Sequence, residues 1–139
     1  MVTYSIYTDG SFLNGKAIWG FVVFNKHEQI LFKNRGEITD ASWNEGRQIA
    51  GECQGVIEAL KWCRDNDGCG VIHYDYIGLK NWIADFWGDT PWRRNKEYTK
   101  LYREQMIELR PFLIDMKWVK GHSGVVGNEM VDKYIKSYD

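Results

Sequence analysis

Proline is scarce in this chain, with two in 139 residues, and no Gly/Ser/Pro-rich linker or internal repeat divides it. That length favours one domain able to bury a core without staples, so a single unit over residues 1–139 is expected. Cysteine is equally thin. Cys53, Cys63 and Cys69 are odd in number and contain no C-x-x-C pair, which argues against a disulfide framework and a zinc site and makes a reducing cytoplasm the expected setting. No apolar run approaches the roughly 18 residues that a membrane span needs; Phe21-Val-Val-Phe24 is as dense as the chain becomes. The opening residues lack a basic region followed by an apolar run, so they read as structure and not as a signal peptide. Surplus charge is missing too: 18 Lys+Arg face 19 Asp+Glu, so contact with a polyanion would have to come from local clusters. The apolar fraction of 44% excludes a disordered tail. What is abundant is tryptophan, 7 residues, several of them beside basic side chains.

Residues 3–8 alternate, with Tyr4, Ile6 and Thr8 on one face and Ser5 and Tyr7 on the other, which is a strand. Asn14-Gly15 signals a hairpin turn. Residues 17–25 read as a strand buried on both faces, and residues 29–35 as a third strand. The period then changes: Ile49, Cys53, Val56, Ile57 and Leu60 fall at helical spacing and predict a helix over ~47–65. A short strand over 71–75, helices over 78–86 and 95–110, a strand through Phe112, Ile114, Met116 and Trp118, and a helix over 127–138 complete the chain. The order is βββαβααβα, a mixed five-stranded sheet with flanking helices in the α/β class.

Four carboxylates stand out. Asp9 ends the first strand and Asp75 the fourth; if those strands are parallel neighbours, both side chains emerge beyond the carboxyl edge of the sheet, where open α/β sheets bind ligands. Glu52 lies about 40° from Val56 and about 80° from Leu60 on the helical wheel, at the edge of the apolar stripe, where a carboxylate needs a partner or a metal. Asp132 follows Asn128 by one turn, again at the margin of an apolar face. Each has an ordinary explanation: a turn aspartate, a salt bridge, a helix N-cap, or a favourable helix-dipole position. Together they form a set of hard oxygen ligands suited to Mg²⁺ or Mn²⁺. Such a set can hold two ions about 4 Å apart, the arrangement that clamps both oxygens of a phosphodiester displacement.

Tyr7-Thr-Asp-Gly-Ser11, Gly51-Glu-Cys-Gln-Gly55, Tyr74-Asp-Tyr-Ile-Gly78, Trp118-Val-Lys-Gly-His-Ser-Gly124 and Gly127-Asn-Glu-Met-Val-Asp132 together resemble type 1 ribonuclease H, in order and over essentially the whole chain. The resemblance implies cleavage of the RNA strand of RNA/DNA hybrids, leaving a 5′-phosphate and a 3′-hydroxyl. It puts the metal carboxylates on Asp9, Glu52, Asp75 and Asp132, with two Mg²⁺ (or Mn²⁺) shared among them, and the mobile-loop histidine on His122. One ion would belong to Asp9, Glu52 and Asp75, the other to Asp9 and Asp132. Gly10, Ser11, Gln48 and Asn128, beside these carboxylates, become candidate substrate contacts. Gln48 departs from the family, which often has Asn there. No separate hybrid-binding domain is expected before the first strand. Gly121-His-Ser-Gly124 approximates a nucleophile elbow, but Val125 follows, so G-x-S-x-G is not satisfied and a serine hydrolase is rejected.

Residues 92–103 carry Arg93, Arg94, Lys96, Lys100 and Arg103 against Glu97, a local +4. With Trp82, Trp87 and Trp92 nearby, this stretch resembles the family's substrate handle, closest to that of a bacterial and viral branch. There, basic groups meet phosphates and aromatics meet deoxyribose. Its ordinary alternative is a solvated helix whose tryptophans pack on the core. Two other readings share the carboxylate pattern or the charge: a cut-down transposase, integrase or resolvase core acting on DNA, and a nucleic-acid-binding module without catalysis. A monomer satisfies every feature of the sequence.

Overall fold

Asn14 and Gly15 both take positive φ, 51° and 77°, the turn geometry that follows the right-handed twist of a hairpin. Strands β1 (Val2–Leu13) and β2 (Lys16–Phe24) therefore pair antiparallel, with Leu13 opposite Lys16 and Asp9 opposite Gly20. In this computed structural model, which describes residues 1–93, 95–121 and 123–138, β3 (Ile30–Glu37) joins β2 antiparallel. Strand β4 (Gly68–Tyr74) lies parallel to β1 on its other side, and β5 (Leu113–Trp118) parallel to β4. The order across the sheet is β3-β2-β1-β4-β5. The five-stranded mixed sheet read from the sequence is present, and β1 and β4 are the parallel neighbours that a shared site for Asp9 and Asp75 requires.

Alternation along β1 assigns the two faces. Ile6 joins a large core with Phe21, Val23, Val56, Ile57, Leu60, Ile72, Met106 and Met116, under helices α2 (Arg47–Asp65) and α4 (Glu97–Leu109). The opposite face carries α5 (Val126–Lys136) over a smaller core of Ile18, Val22, Phe24, Val131 and Ile135, with Tyr7 packed against it. Each fully buried aliphatic side chain in these cores contributes roughly 1.5–3 kcal/mol relative to exposure.

At the level of Asp9 the layers meet through main chain. A Cβ on Gly10 would overlap the Glu52 amide nitrogen and lie 2.5 Å from the Gly51 carbonyl carbon and 2.6 Å from the Gln48 carbonyl oxygen. On the helix side, a Cβ on Gly51 would overlap the Ile18 carbonyl oxygen. The absent side chains let α2 rest directly on the hairpin.

Three elements differ from expectation. Strand β1 continues through Asp9 to Leu13, held by its pairing with β2, so Asp9 lies within the strand and not at its end. The helix read over 78–86 is broken into α3 (Gly78–Asn81) and a 3₁₀ turn (Ala84–Trp87), with Ile83 at φ −126°, ψ 24° between them. The break turns the successive side chains Trp82 and Ile83 both inward, at 7% and 0% exposed. Carbonyls near the break find other donors: Asn81 accepts from the Trp92 N–H at 2.8 Å and Trp82 from Arg103 Nη1 at 3.3 Å. A short helix α1 (Ala41–Asn44) lies in a stretch where the sequence pattern predicts no element. It is capped by Asp40, whose Oδ1 accepts from the Ser42 N–H at 2.9 Å, and it positions Asn44 to accept from the Ala17 N–H at 2.9 Å beside the hairpin turn. Helix α2 matches the expected 47–65.

Candidate metal centre

Asp9 lies on β1 where the strand passes under α2, Glu52 projects from the first half of α2, and Asp75 is the residue that follows β4. The glycine contacts at Gly10 and Gly51 bring the first two together; the parallel pairing of β1 and β4 brings the third. One carboxylate oxygen from each lies within 4.8 Å of the other two. Asp9 is 4% exposed and Glu52 5%.

Burial and mutual repulsion dominate the electrostatics. Burial is the main cause that lifts the Asp9 carboxyl to about 7. A hydrogen bond shared with Glu52 and the Gly10 N–H, donating to Oδ1 at 2.9 Å, pull it down, while the charges of Asp75 and Asp132 push it up. Burial raises Glu52 well above the usual carboxylate range, reinforced by the charges of Asp9 and Asp75. Glu52 Oε2 is nevertheless buried with no hydrogen-bond partner among the described residues. Buried polar atoms are rarely left so. A hard divalent cation among these three carboxylates would both satisfy that oxygen and reverse the repulsion, so the residues fit a metal of the Mg²⁺ class.

The fourth carboxylate stands apart from this trio. Asp132 on α5 pairs with Lys136 one turn on, at 3.2 Å, its side chain 27% exposed. It still lines the same cavity of about 340 Å³, together with Gly10, Ser11, Gln48, Asn128 and Gly121. Asn128 is 6% exposed, whereas Gln48 is open to solvent. Lys136 and Phe12 also line this cavity, and the motifs in the sequence do not pick out either. The i,i+4 spacing of Asp132 and Lys136 is the available signal for the lysine. His122, expected beside the carboxylates, lies outside the described residues, as does Arg94.

The aromatic and basic residues of the expected handle are distributed unevenly. Trp82 is a core residue, packed edge-on against Tyr102 and Trp92 at centroid separations of 6.3 and 6.4 Å. Trp92 itself is 43% exposed. Trp87 is half-buried, with Lys80 Nζ 4.6 Å from its ring centroid. Arg93, Lys96 and Lys100 are exposed. Arg103 forks onto Asp85, with both contacts at 2.6 Å, so its charge is already matched.

A mixed sheet with flanking helices, carrying Asp9, Glu52 and the partly buried Asp75 where its central parallel pairing ends, defines an α/β protein with a carboxylate group that could hold a metal ion. The RNase H family model matches residues 2–138, and the chain belongs to the ribonuclease H family, whose members are phosphodiester hydrolases. It is 32% identical to the ribonuclease H of Actinobacillus succinogenes, over 94% of this chain and 86% of that protein. Identity to the ribonuclease H of Maricaulis maris is 30%, over 98% and 93%. Among solved structures, the RNase H1 of Halobacterium salinarum aligns with a TM-score of 0.70 at 18% identity, covering 94% of this chain and 92% of that one. LC11-RNase H1, solved in complex with an RNA/DNA hybrid, aligns with a TM-score of 0.69 at 16% identity, covering 96% of each.

Proposed function

We propose that this protein is an endonuclease that hydrolyses the RNA strand of RNA/DNA hybrids, giving 5′-phosphate and 3′-hydroxyl ends. The observation that carries the reading is the convergence of Asp9, Glu52 and Asp75, with an unpartnered buried oxygen on Glu52, in a ribonuclease H chain. The hybrid seen bound to LC11-RNase H1 supports the substrate class.

Asp9, Glu52 and Asp75 would hold one Mg²⁺, and Asp9 with Asp132 a second. Bound there, such ions supply the nucleophile-activating and charge-neutralising chemistry of phosphodiester cleavage. The chain's own residues do the rest. The buried Asp9 and Glu52 are kept close by main-chain contacts at Gly10 and Gly51, and Asp75 by the parallel pairing of β4 with β1. Gly10, Ser11, Gln48 and Asn128, around the cavity mouth, would orient the scissile segment. Gln48, the most open of them, is suited to a groove edge or a 2′-hydroxyl, the group that distinguishes RNA from DNA. His122 is proposed to handle a proton beside the leaving group. Arg93, Arg94 and Lys96, with Trp87 and Trp92, would grip the partner strand. Trp82 would contribute by supporting Trp92 from the core.

The remaining features of the reading are one catalytic domain acting as a monomer in the cytoplasm. Three free cysteines accord with that setting, and no described helix is long and apolar enough to cross a membrane.

Incubation with labelled hybrid, duplex RNA and duplex DNA, in Mg²⁺ or Mn²⁺, tests this. Cleavage confined to the RNA strand of the hybrid is expected. Cutting of duplex DNA would favour a transposase-like core, and binding without cutting an inactive module.

A further inference from the structure

Trp118 occupies an unusual place for a large aromatic ring. It is the last residue of β5, the edge strand, and it remains 53% exposed. Hydrophobic packing therefore explains little of its presence. Its indole N–H is fully used: Nε1 donates to the main-chain carbonyl of Asp75 at 2.8 Å.

That bond has a structural meaning set by the ladder. Tyr74 is the last residue of β4 and pairs with Trp118, and the Val119 N–H donates to the Tyr74 carbonyl at 2.7 Å. Asp75 lies one residue beyond the ladder. The indole supplies one further rung from a side chain and holds the peptide unit of Asp75 as the chain leaves the sheet. Gly121, three residues after Trp118, runs beside the carboxylate: a Cβ there would lie at ordinary contact distance, 3.5 Å, from Asp75 Oδ2. The end of β5 thus holds the Asp75 backbone, and the chain that follows passes beside its carboxylate.

We infer that Trp118 is a positioning residue for Asp75, fixing the direction in which that carboxylate enters the metal centre and so setting divalent-ion affinity. This rests on the metal-centre reading above. Groups that orient ligands in this indirect way typically alter metal affinity or activity by about 10–100-fold when removed.

The test compares Trp118→Phe, which keeps a ring but loses the N–H, with Trp118→Ala. Mg²⁺ and Mn²⁺ binding is measured by calorimetry without nucleic acid, and hybrid cleavage is followed across a Mg²⁺ titration. The expected result is a loss of about tenfold in ion affinity in both variants, with an unfolding transition in EDTA close to wild type for the Phe variant. Cleavage by the Phe variant should then need more Mg²⁺ while kcat recovers at saturation. Wild-type ion affinity in Trp118→Phe would overturn the inference and leave the metal centre standing. A wild-type protein that takes up no divalent ion would overturn both.

Discussion

Gly10 and Glu52 touch through their backbones: the Cα hydrogen of a strand residue faces the amide of a helix residue so closely that no Cβ can stand between them. The distance between strand and helix, and hence between the Asp9 and Glu52 carboxylates, is a main-chain property. Gly10→Ala should therefore push α2 outward, destabilising the fold by about 2–3 kcal/mol, as overpacking against rigid neighbours does. It should also weaken Mg²⁺ binding even in the fraction that folds. Urea denaturation and calorimetry would check both, and an Ala variant with native stability would show that the helix yields freely.

The raised carboxyls make stability depend on pH with a definite sign. Asp9, lifted to about 7, keeps its proton in the folded chain while the unfolded chain loses it near the ordinary value of about 4. The metal-free protein should be least penalised below that lower value, lose stability as pH rises through 7, and level off above it. Asp9→Asn removes the burial and repulsion of a charge. In EDTA at pH 8 it should be more stable than wild type, by about 1 kcal/mol, with the gain vanishing near pH 4. Saturating Mg²⁺ should stabilise wild type more than the variant, and hybrid cleavage by the variant should be nearly abolished. Thermal melts across pH decide this; a variant less stable than wild type at pH 8 in EDTA would contradict the repulsive cluster.

Lys136 neutralises Asp132 inside the cavity. In Lys136→Gln the carboxylate is released at little cost, since an i,i+4 pair of this exposure is worth about 0.5 kcal/mol or less. Mg²⁺ affinity should rise a few-fold. Calorimetry showing lower affinity would mean that the lysine orders the site instead of competing for it.

Charge reversal at Arg93 and Lys96 should weaken hybrid binding and flatten its salt dependence by roughly one unit for each phosphate that is no longer neutralised, with little change in cleavage positions. By contrast, Trp82→Ala should act through the core, costing about 3–5 kcal/mol of stability. Binding titrations at several salt concentrations, paired with melts, separate the two kinds of residue; an unaltered slope would return Arg93 and Lys96 to the solvated surface.

Much of this architecture is legible in the sequence because it is carried by local patterns. The alternation from Tyr4 to Thr8 and the helical spacing from Ile49 to Leu60 each report one face of one element. Asp75 is readable as a strand end for the same reason, whereas Asp9 lies within a strand that runs on to Leu13, because pairing across the hairpin extends β1 beyond its alternating run. What escapes a sequence reading depends on contacts between elements. The break at Ile83 follows from burying two successive side chains, and the intimacy of Gly10 with α2 follows from docking. Asp132 resembles the other three carboxylates by type, but in the structure it pairs with Lys136 on its own helix and is not one of the three that cluster. Asp40 is a legible cap for α1, but a helix of a single turn is too short to show a periodicity.

The carboxylates at positions 9, 52, 75 and 132 are drawn from a hairpin, two helices and the end of a parallel strand. They become neighbours only when all those pieces have docked. A half-assembled chain does not feel their repulsion, so the crowding acts chiefly on how fast the finished molecule comes apart. Neutralising Asp9 should then slow unfolding in EDTA while leaving the refolding rate near that of wild type, the kinetic signature of an interaction absent from the transition state. The metal-free enzyme, in this view, carries a loaded spring that a divalent cation bound there would latch, and its lifetime, more than its speed of folding, is what such an ion would control.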